Sequence, residues 1–148
     1  MLKNKNSFYK IFKPELTPKQ MLEYGIFGGS YLGETIIEYP KSWFVKAKLS
    51  TSFDVTLNYF QIRAGLSLKE WKKRGWIMHE DPRGWFQWYC RFSIGRRLPE
   101  IDKIQIVRWK AFGPRHIGGI KKNCPKKFFS CRKKQRQALL QWAYNPFF

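Results

Sequence analysis

The stretch Asp81-Pro82-Arg83-Gly84-Trp85-Phe86-Gln87-Trp88-Tyr89-Cys90-Arg91-Phe92-Ser93-Ile94-Gly95 decides how the rest of the chain is read. Asp81 suits a helix N-cap, Pro82 the first helical position and Gly95 the stop. On a 3.6-residue wheel Trp85, Trp88, Tyr89 and Phe92 share one face, which Phe86 and Cys90 widen past half the circumference. Only Arg83, Gln87 and Arg91, spaced i, i+4, i+8, form a polar strip. A helix this apolar belongs at the centre of a small core. The strip admits two readings: arginines paired with surface acids, or a row of guanidinium donors directed at phosphate.

On either side the punctuation is helical. Leu16-Thr17-Pro18-Lys19-Gln20-Met21 holds a cap (Thr17), a first-position proline and a capping-box partner (Gln20), and Gly25 stops that helix after two turns. Leu66-Ser67-Leu68-Lys69-Glu70-Trp71 repeats the signature, with Lys72, Lys73 and Arg74 suited to the negative end of the helix dipole and Gly75 as the stop. Gly25, Gly28, Gly29 and Gly33 read as tight turns: neither a phosphate-loop nor a dinucleotide-binding spacing is present, so no cofactor is implied. Pro40–Val45 reads as one helical turn and residues 54–62 as a short strand or an irregular packed loop. Glu100 and Asp102 open a further helix expected to end at Gly113-Pro114 and to restart toward Asn123, with a strand at Ile104–Val107 as the alternative. The last helix is expected from Ser130, as cap, to Tyr144, with Ala138, Leu139 and Trp142 inward and Arg132, Lys133, Arg136 and Gln137 outward. The expected fold is all-α: a single domain over residues 16–148 of five or six short helices around the central one, preceded by a basic, flexible arm over residues 1–15.

Charge narrows the function. The 148 residues carry 29 Lys and Arg against 10 Asp and Glu, a net charge of +19, with a pI near 10.1. From Lys103 onward there are 12 basic side chains and no acid. A solvated surface normally mixes the signs, so an anionic partner is expected, and nucleic acid held by its phosphate backbone is the leading reading. The residues expected to carry it are Arg83, Arg91, Arg96, Arg97, Arg108, Lys110, Arg115, Lys121, Lys122, Lys126, Lys127, Arg132, Lys133, Lys134 and Arg136. Within that set Arg132, Lys133 and Lys134 stand against the positive end of the last helix's dipole, which favours a phosphate site there. Trp109, Phe112, Phe128 and Phe129, interleaved with the cations, are core residues or stacking surfaces for bases.

Other chemistries have less to build on. His79-Glu80-Asp81 is the one tight acid–base cluster, read either as a general base beside a carboxylate in a nucleic-acid-processing enzyme or as a polar loop whose Asp81 is a cap. Cys90, His116, Cys124 and Cys131 make a four-ligand metal set only on paper, since their spacing matches no zinc module. Three cysteines without a disulfide framework, and no secretory signal, lead to the expectation of a reducing compartment: cytoplasm, nucleus or virion interior. No run of 18 apolar residues is present, so no membrane partner is expected. A structural component of a ribonucleoprotein or virion, its basic surface buried against an assembly partner, is the alternative to a free-standing binder.

The segment Asp81–Phe92, with Gly95-Arg96-Arg97 and Arg136-Gln137-Ala138-Leu139-Leu140-Gln141-Trp142-Ala143-Tyr144, resembles a family of small basic uncharacterised proteins from bacteria, large DNA viruses or phages, plants and fungi. The resemblance covers the second half of the chain. It implies a compact domain and assigns no catalytic or binding residue.

Overall fold

Thr17 does what its position dictates. In the computed structural model, which describes residues 7–148, its hydroxyl accepts from the Gln20 N–H at 3.2 Å while the Gln20 side chain accepts from the Thr17 N–H at 2.9 Å, opening helix α1 (Pro18–Tyr24). Gly25 closes it at φ +108°, returning its N–H to Met21. A side chain at Gly25 would stand 1.9 Å from the Leu57 carbonyl oxygen, so the glycine also lets the following loop pass close by. Ser67 caps α2 (Leu68–Lys73) by accepting from the Glu70 N–H, but the Glu70 carboxylate pairs with Arg74 where a capping box was expected.

The arm is packed where it is described. Residues 7–11 form a 3-10 turn, and Phe12 enters the aromatic core with its ring 5.0–6.4 Å from Trp85, Trp88, Tyr89, Phe92 and Trp109. The aromatics scattered through this polar segment are what dock it; residues 1–6 of the expected arm lie outside the described residues. Between α1 and α2 the chain runs through short 3-10 turns at Phe27–Gly29, Gly33–Glu38, Lys41–Phe44 and Val55–Leu57. No strand forms over residues 54–62. Buried Asn58 organises that region instead, accepting from the Gly28 N–H at 2.7 Å and donating to the Ile62 carbonyl at 2.9 Å.

The central helix α3 (Trp85–Ser93) starts later than its sequence suggests. Gly84 holds φ +115° and ψ −163°, outside the helical region and close against the Tyr31 hydroxyl, so residues 82–84 stay out of the helix. Asp81 is therefore not the cap. Trp85 to Cys90 are all buried, Gln87 included: its carbonyl oxygen accepts from the Arg83 N–H at 2.9 Å. Trp88 donates to Asp102 at 2.8 Å, Trp85 to the Gln105 carbonyl at 3.1 Å, and Tyr89 to the Leu16 carbonyl at 2.5 Å, so the aromatic face is also fixed in direction.

Helix α4 (Pro99–Asn123) is continuous through Gly113-Pro114 and leaves no strand at residues 104–107. An interior proline removes one rung and costs about 3 kcal/mol in isolation. Tertiary packing offsets that cost. The Tyr144 ring lies over Trp109 at 4.9 Å, interplanar angle 6°, and fills the space above Gly113, and its hydroxyl donates to the Trp109 carbonyl. Buried Asp102 ties the start of α4 to the N-terminal segment by accepting from Tyr9 at 2.7 Å and from the Leu98 N–H at 2.9 Å.

The last helix α5 (Lys133–Gln141) is shorter than expected. Ser130 does not cap it; Arg132 precedes it in the left-handed region at φ +59°, after a disulfide between Cys124 and Cys131. Gln137, expected on the outside, is fully buried: it accepts from the Phe60 N–H at 3.1 Å and donates to the Gly25 carbonyl at 3.2 Å. The architecture is all-α, with five α-helices and five 3-10 turns among the described residues wrapped on one aromatic core.

Candidate nucleic-acid interface

The cations singled out in the sequence divide by what they touch. Arg83, Arg91 and Arg96 are held by the chain's own acids. Arg83 reaches Glu34 at 2.8 Å and the Tyr31 carbonyl at 2.9 Å. Arg91 grips Glu38 at 2.9 and 3.0 Å, and this contact holds the Glu38 carboxyl below the usual carboxylate range. Arg91 and Arg96 converge on Asp81, whose carboxylate is fully buried. Of the expected polar strip, Arg83 and Arg91 are therefore paired with acids of the chain, the Glu34 partner being largely exposed, and Gln87 is turned inward.

The same contacts dissolve the acid–base cluster. His79 and Glu80 are exposed on a turn, while Asp81 faces inward between two guanidiniums. The metal set fails for a different reason. Cys124 and Cys131 are bonded to each other, Cys90 is buried in the core with its thiol pushed up by desolvation, and no metal-holding group exists among the described residues. A disulfide also sits badly with a reducing compartment.

Two further cations are taken up by carbonyls. Arg97 donates to the Phe92 and Arg96 carbonyls with its guanidinium 3.5 Å above the Phe92 ring. Arg136, expected outside, has no exposed surface: it donates to the carbonyls of Cys131, Pro146, Phe148 and Phe128 and lies between the Phe129 and Phe148 rings. Exposed cations without a carboxylate partner remain at Lys110, Arg115, Lys121, Lys122, Lys126, Lys127, Arg132, Lys133 and Lys134. Trp109 is core, Phe129 packs on Phe147, and Phe128 stands 57% exposed.

Several of these cations border one groove, about 960 Å³ in volume, between the end of α2, the middle of α4 and the start of α5. Arg108, Arg115, Arg132 and Lys134 line it, joined by Arg74 from the segment after α2. No acidic side chain lines it. Its wall is a run of rings: Trp76 edge-on to Trp71 at 5.3 Å, Trp71 over Trp142 at 5.9 Å, Trp142 over Phe112 at 4.7 Å and Phe112 over His116 at 4.5 Å. Arg108 donates to the Trp76 carbonyl at 2.8 Å and so ties the backbone at Trp76 to α4. Burial and then Arg115 hold His116 below its ordinary pKa, and its Nδ1 lies 3.4 Å from the Gln135 amide. The Gln135 carbonyl oxygen is buried without a partner. Arg74 keeps an exposed pair with Glu70 at 3.2 Å, a contact worth well under 1 kcal/mol and easily exchanged for phosphate.

Sequence reasoning supplied Arg108, Arg115, Arg132, Lys134 and Phe112. It missed Arg74, Trp71, Trp76 and Trp142, and met His116 only as a metal ligand. The signal for Arg74 and Trp76 is their adjacency across Gly75, where a helix stop aims both side chains off the same turn. Comparison with family models, with curated proteins and with solved structures finds no match. The functional reading therefore rests on the chemistry of the groove.

Proposed function

We propose that this protein binds nucleic acid through the sugar–phosphate backbone, along the groove between α2, α4 and α5, without catalysis of its own. One observation carries the reading: five cationic side chains and no carboxylate border an aromatic-walled groove. A cleft with cations of one sign concentrates field and draws a polyanion, and its rings offer bases a surface to lie on. Exposed Lys110, Lys133, Lys121 and Lys122 extend the positive surface on the same two helices.

The test is a binding titration of random-sequence DNA and RNA over a series of salt concentrations. Phosphate contacts by the three lining cations without a partner, Arg115, Arg132 and Lys134, correspond to a slope of log affinity against log salt of about −2 for a single strand and about −3 for duplex DNA, steeper where Arg74 exchanges Glu70 for phosphate. A slope near zero, or no binding at low ionic strength, rules the reading out.

A further inference from the structure

Beside the cationic groove a second cavity, of about 350 Å³, opens between the loop at residues 27–31, the segment at residues 63–68 and the start of α3. The two share a wall: Gly65, Leu66, Trp71, Gln141 and Trp142 border both. The second cavity has aromatic walls, among them Phe27 and Tyr31 with rings 4.5 Å apart, Phe53, and Phe86 edge-on to Tyr31 at 5.4 Å. No carboxylate lines it. Of its two cations, Arg83 is already held by Glu34 and the Tyr31 carbonyl. Arg63 is not: it is exposed, has no carboxylate partner, and lies 3.9 Å over the face of Phe53.

We propose that this cavity receives one unpaired nucleobase of a strand whose phosphates follow the cationic groove. The inference rests on the nucleic-acid reading of that groove and narrows it to single strands. The size fits one ring system: small-molecule sites run from about 300 to 1,000 Å³, and this cavity is at the low end. Aromatic walls accept the π-face of any base, so the cavity selects a base that is free rather than a base of given sequence. A base in a duplex would first have to leave its stack and its partner, a cost that a single strand does not carry. Arg63, exposed and part of the lining, offers its guanidinium to the phosphate next to the inserted base. Ser30 is among the polar residues of the wall, a candidate partner for the base edge. A free nucleotide would satisfy the inner cavity but would leave the adjoining carboxylate-free groove without a role.

The experiment uses the full chain and a short single-stranded DNA carrying one 2-aminopurine, the same sequence as RNA, the same DNA with that position abasic, and the blunt duplex. Quenching of 2-aminopurine emission on binding is expected, with affinity for the abasic strand or the duplex lower by about fivefold or more. Phe53→Ala, at an exposed position outside the groove lining, is expected to remove the preference for the intact over the abasic strand while leaving duplex affinity unchanged, and Arg63→Gln to weaken intact and abasic strands alike. DNA and RNA behaving alike supports a cavity that reads the base alone. Equal affinity for intact, abasic and duplex probes with a steep salt dependence overturns the base cavity and leaves the groove reading standing. Absence of binding by every probe at low salt overturns the groove reading itself. Adenosine monophosphate binding as tightly as the strand also overturns the proposal.

Discussion

Asp81 and Arg96 meet two-to-two, Nη1 to Oδ1 at 2.9 Å and Nη2 to Oδ2 at 2.7 Å, with the carboxylate sealed from solvent and Arg91 adding a third contact at 3.1 Å. A buried carboxylate matched by two guanidiniums is costly to break from one side. Asp81→Asn is expected to destabilise the fold by about 3 kcal/mol, the low end for a broken buried pair, because Arg91 and Arg96 keep 21% and 25% of their side-chain exposure. Urea denaturation measures this. A change below about 0.5 kcal/mol would mean that the pair orients the loop without stabilising it.

Charge reversal separates the groove from the rest of the positive surface. Arg132→Glu with Lys134→Glu is expected to weaken single-strand binding roughly tenfold or more and to flatten the salt slope by about 0.7 per lost contact. Lys72→Glu with Lys73→Glu, at the end of α2 but outside the groove lining, is expected to change affinity much less. Equal losses from both pairs would locate binding in net charge and not in the groove.

His116 makes the groove sensitive to acid. Its pKa is lowered by burial first and by Arg115 second, so the folded protein binds its proton less readily than an unfolded chain with the ordinary value near 6.5. The free protein should accordingly lose stability as pH falls from neutrality through the depressed folded value, and His116→Gln should remove that component. Binding moves the other way. A protonated His116 adds a cation beside Arg115, Arg132 and Lys134, so affinity for a single strand should rise on acidification in the wild type and stay flatter in His116→Gln. Titrations above and below the transition read both effects.

Gly113→Ala ought to help a helix by propensity, by about 1 kcal/mol. Here it should harm it. The added methyl would stand 2.3 Å from the Tyr144 ring, which stacks on Trp109 and cannot retreat without losing that contact. A net loss of about 1–3 kcal/mol is expected from overpacking, visible as a lower thermal midpoint. A gain in stability would show that Tyr144 is free to move.

Local chemistry was readable at several helix ends, though the caps expected at Asp81 and Ser130 did not form. The Thr17–Gln20 box, the Ser67 cap and the stops at Gly25 and Gly75 formed as their spacing required, and the aromatic content of α3 placed it at the centre. What was not legible depended on partners far along the chain. Arg83 and Arg91 read equally as paired or as free donors, and their partners Glu34 and Glu38 lie 49 and 53 residues away. Gly113-Pro114 reads as a stop because nothing nearby announces that Tyr144 will brace it. Arg136 reads as outward on a helical wheel because carbonyls, the groups that hold it inside, have no signature in a sequence. The groove follows the same rule: its cations were visible singly, but three separate elements supply its walls.

Gln137 carries a consequence for how the molecule comes into being. Its carboxamide satisfies the Phe60 N–H, 77 residues earlier, and the Gly25 carbonyl, 112 residues earlier, both at buried contacts. During synthesis the Phe60 N–H gains this partner only after residue 137 has been made, whereas the Gly25 carbonyl also accepts from the nearby Tyr59 N–H at 3.0 Å. A fragment ending before the last helix leaves the Phe60 N–H without its carboxamide, so it should be less stable than the full chain and more readily cut by proteases.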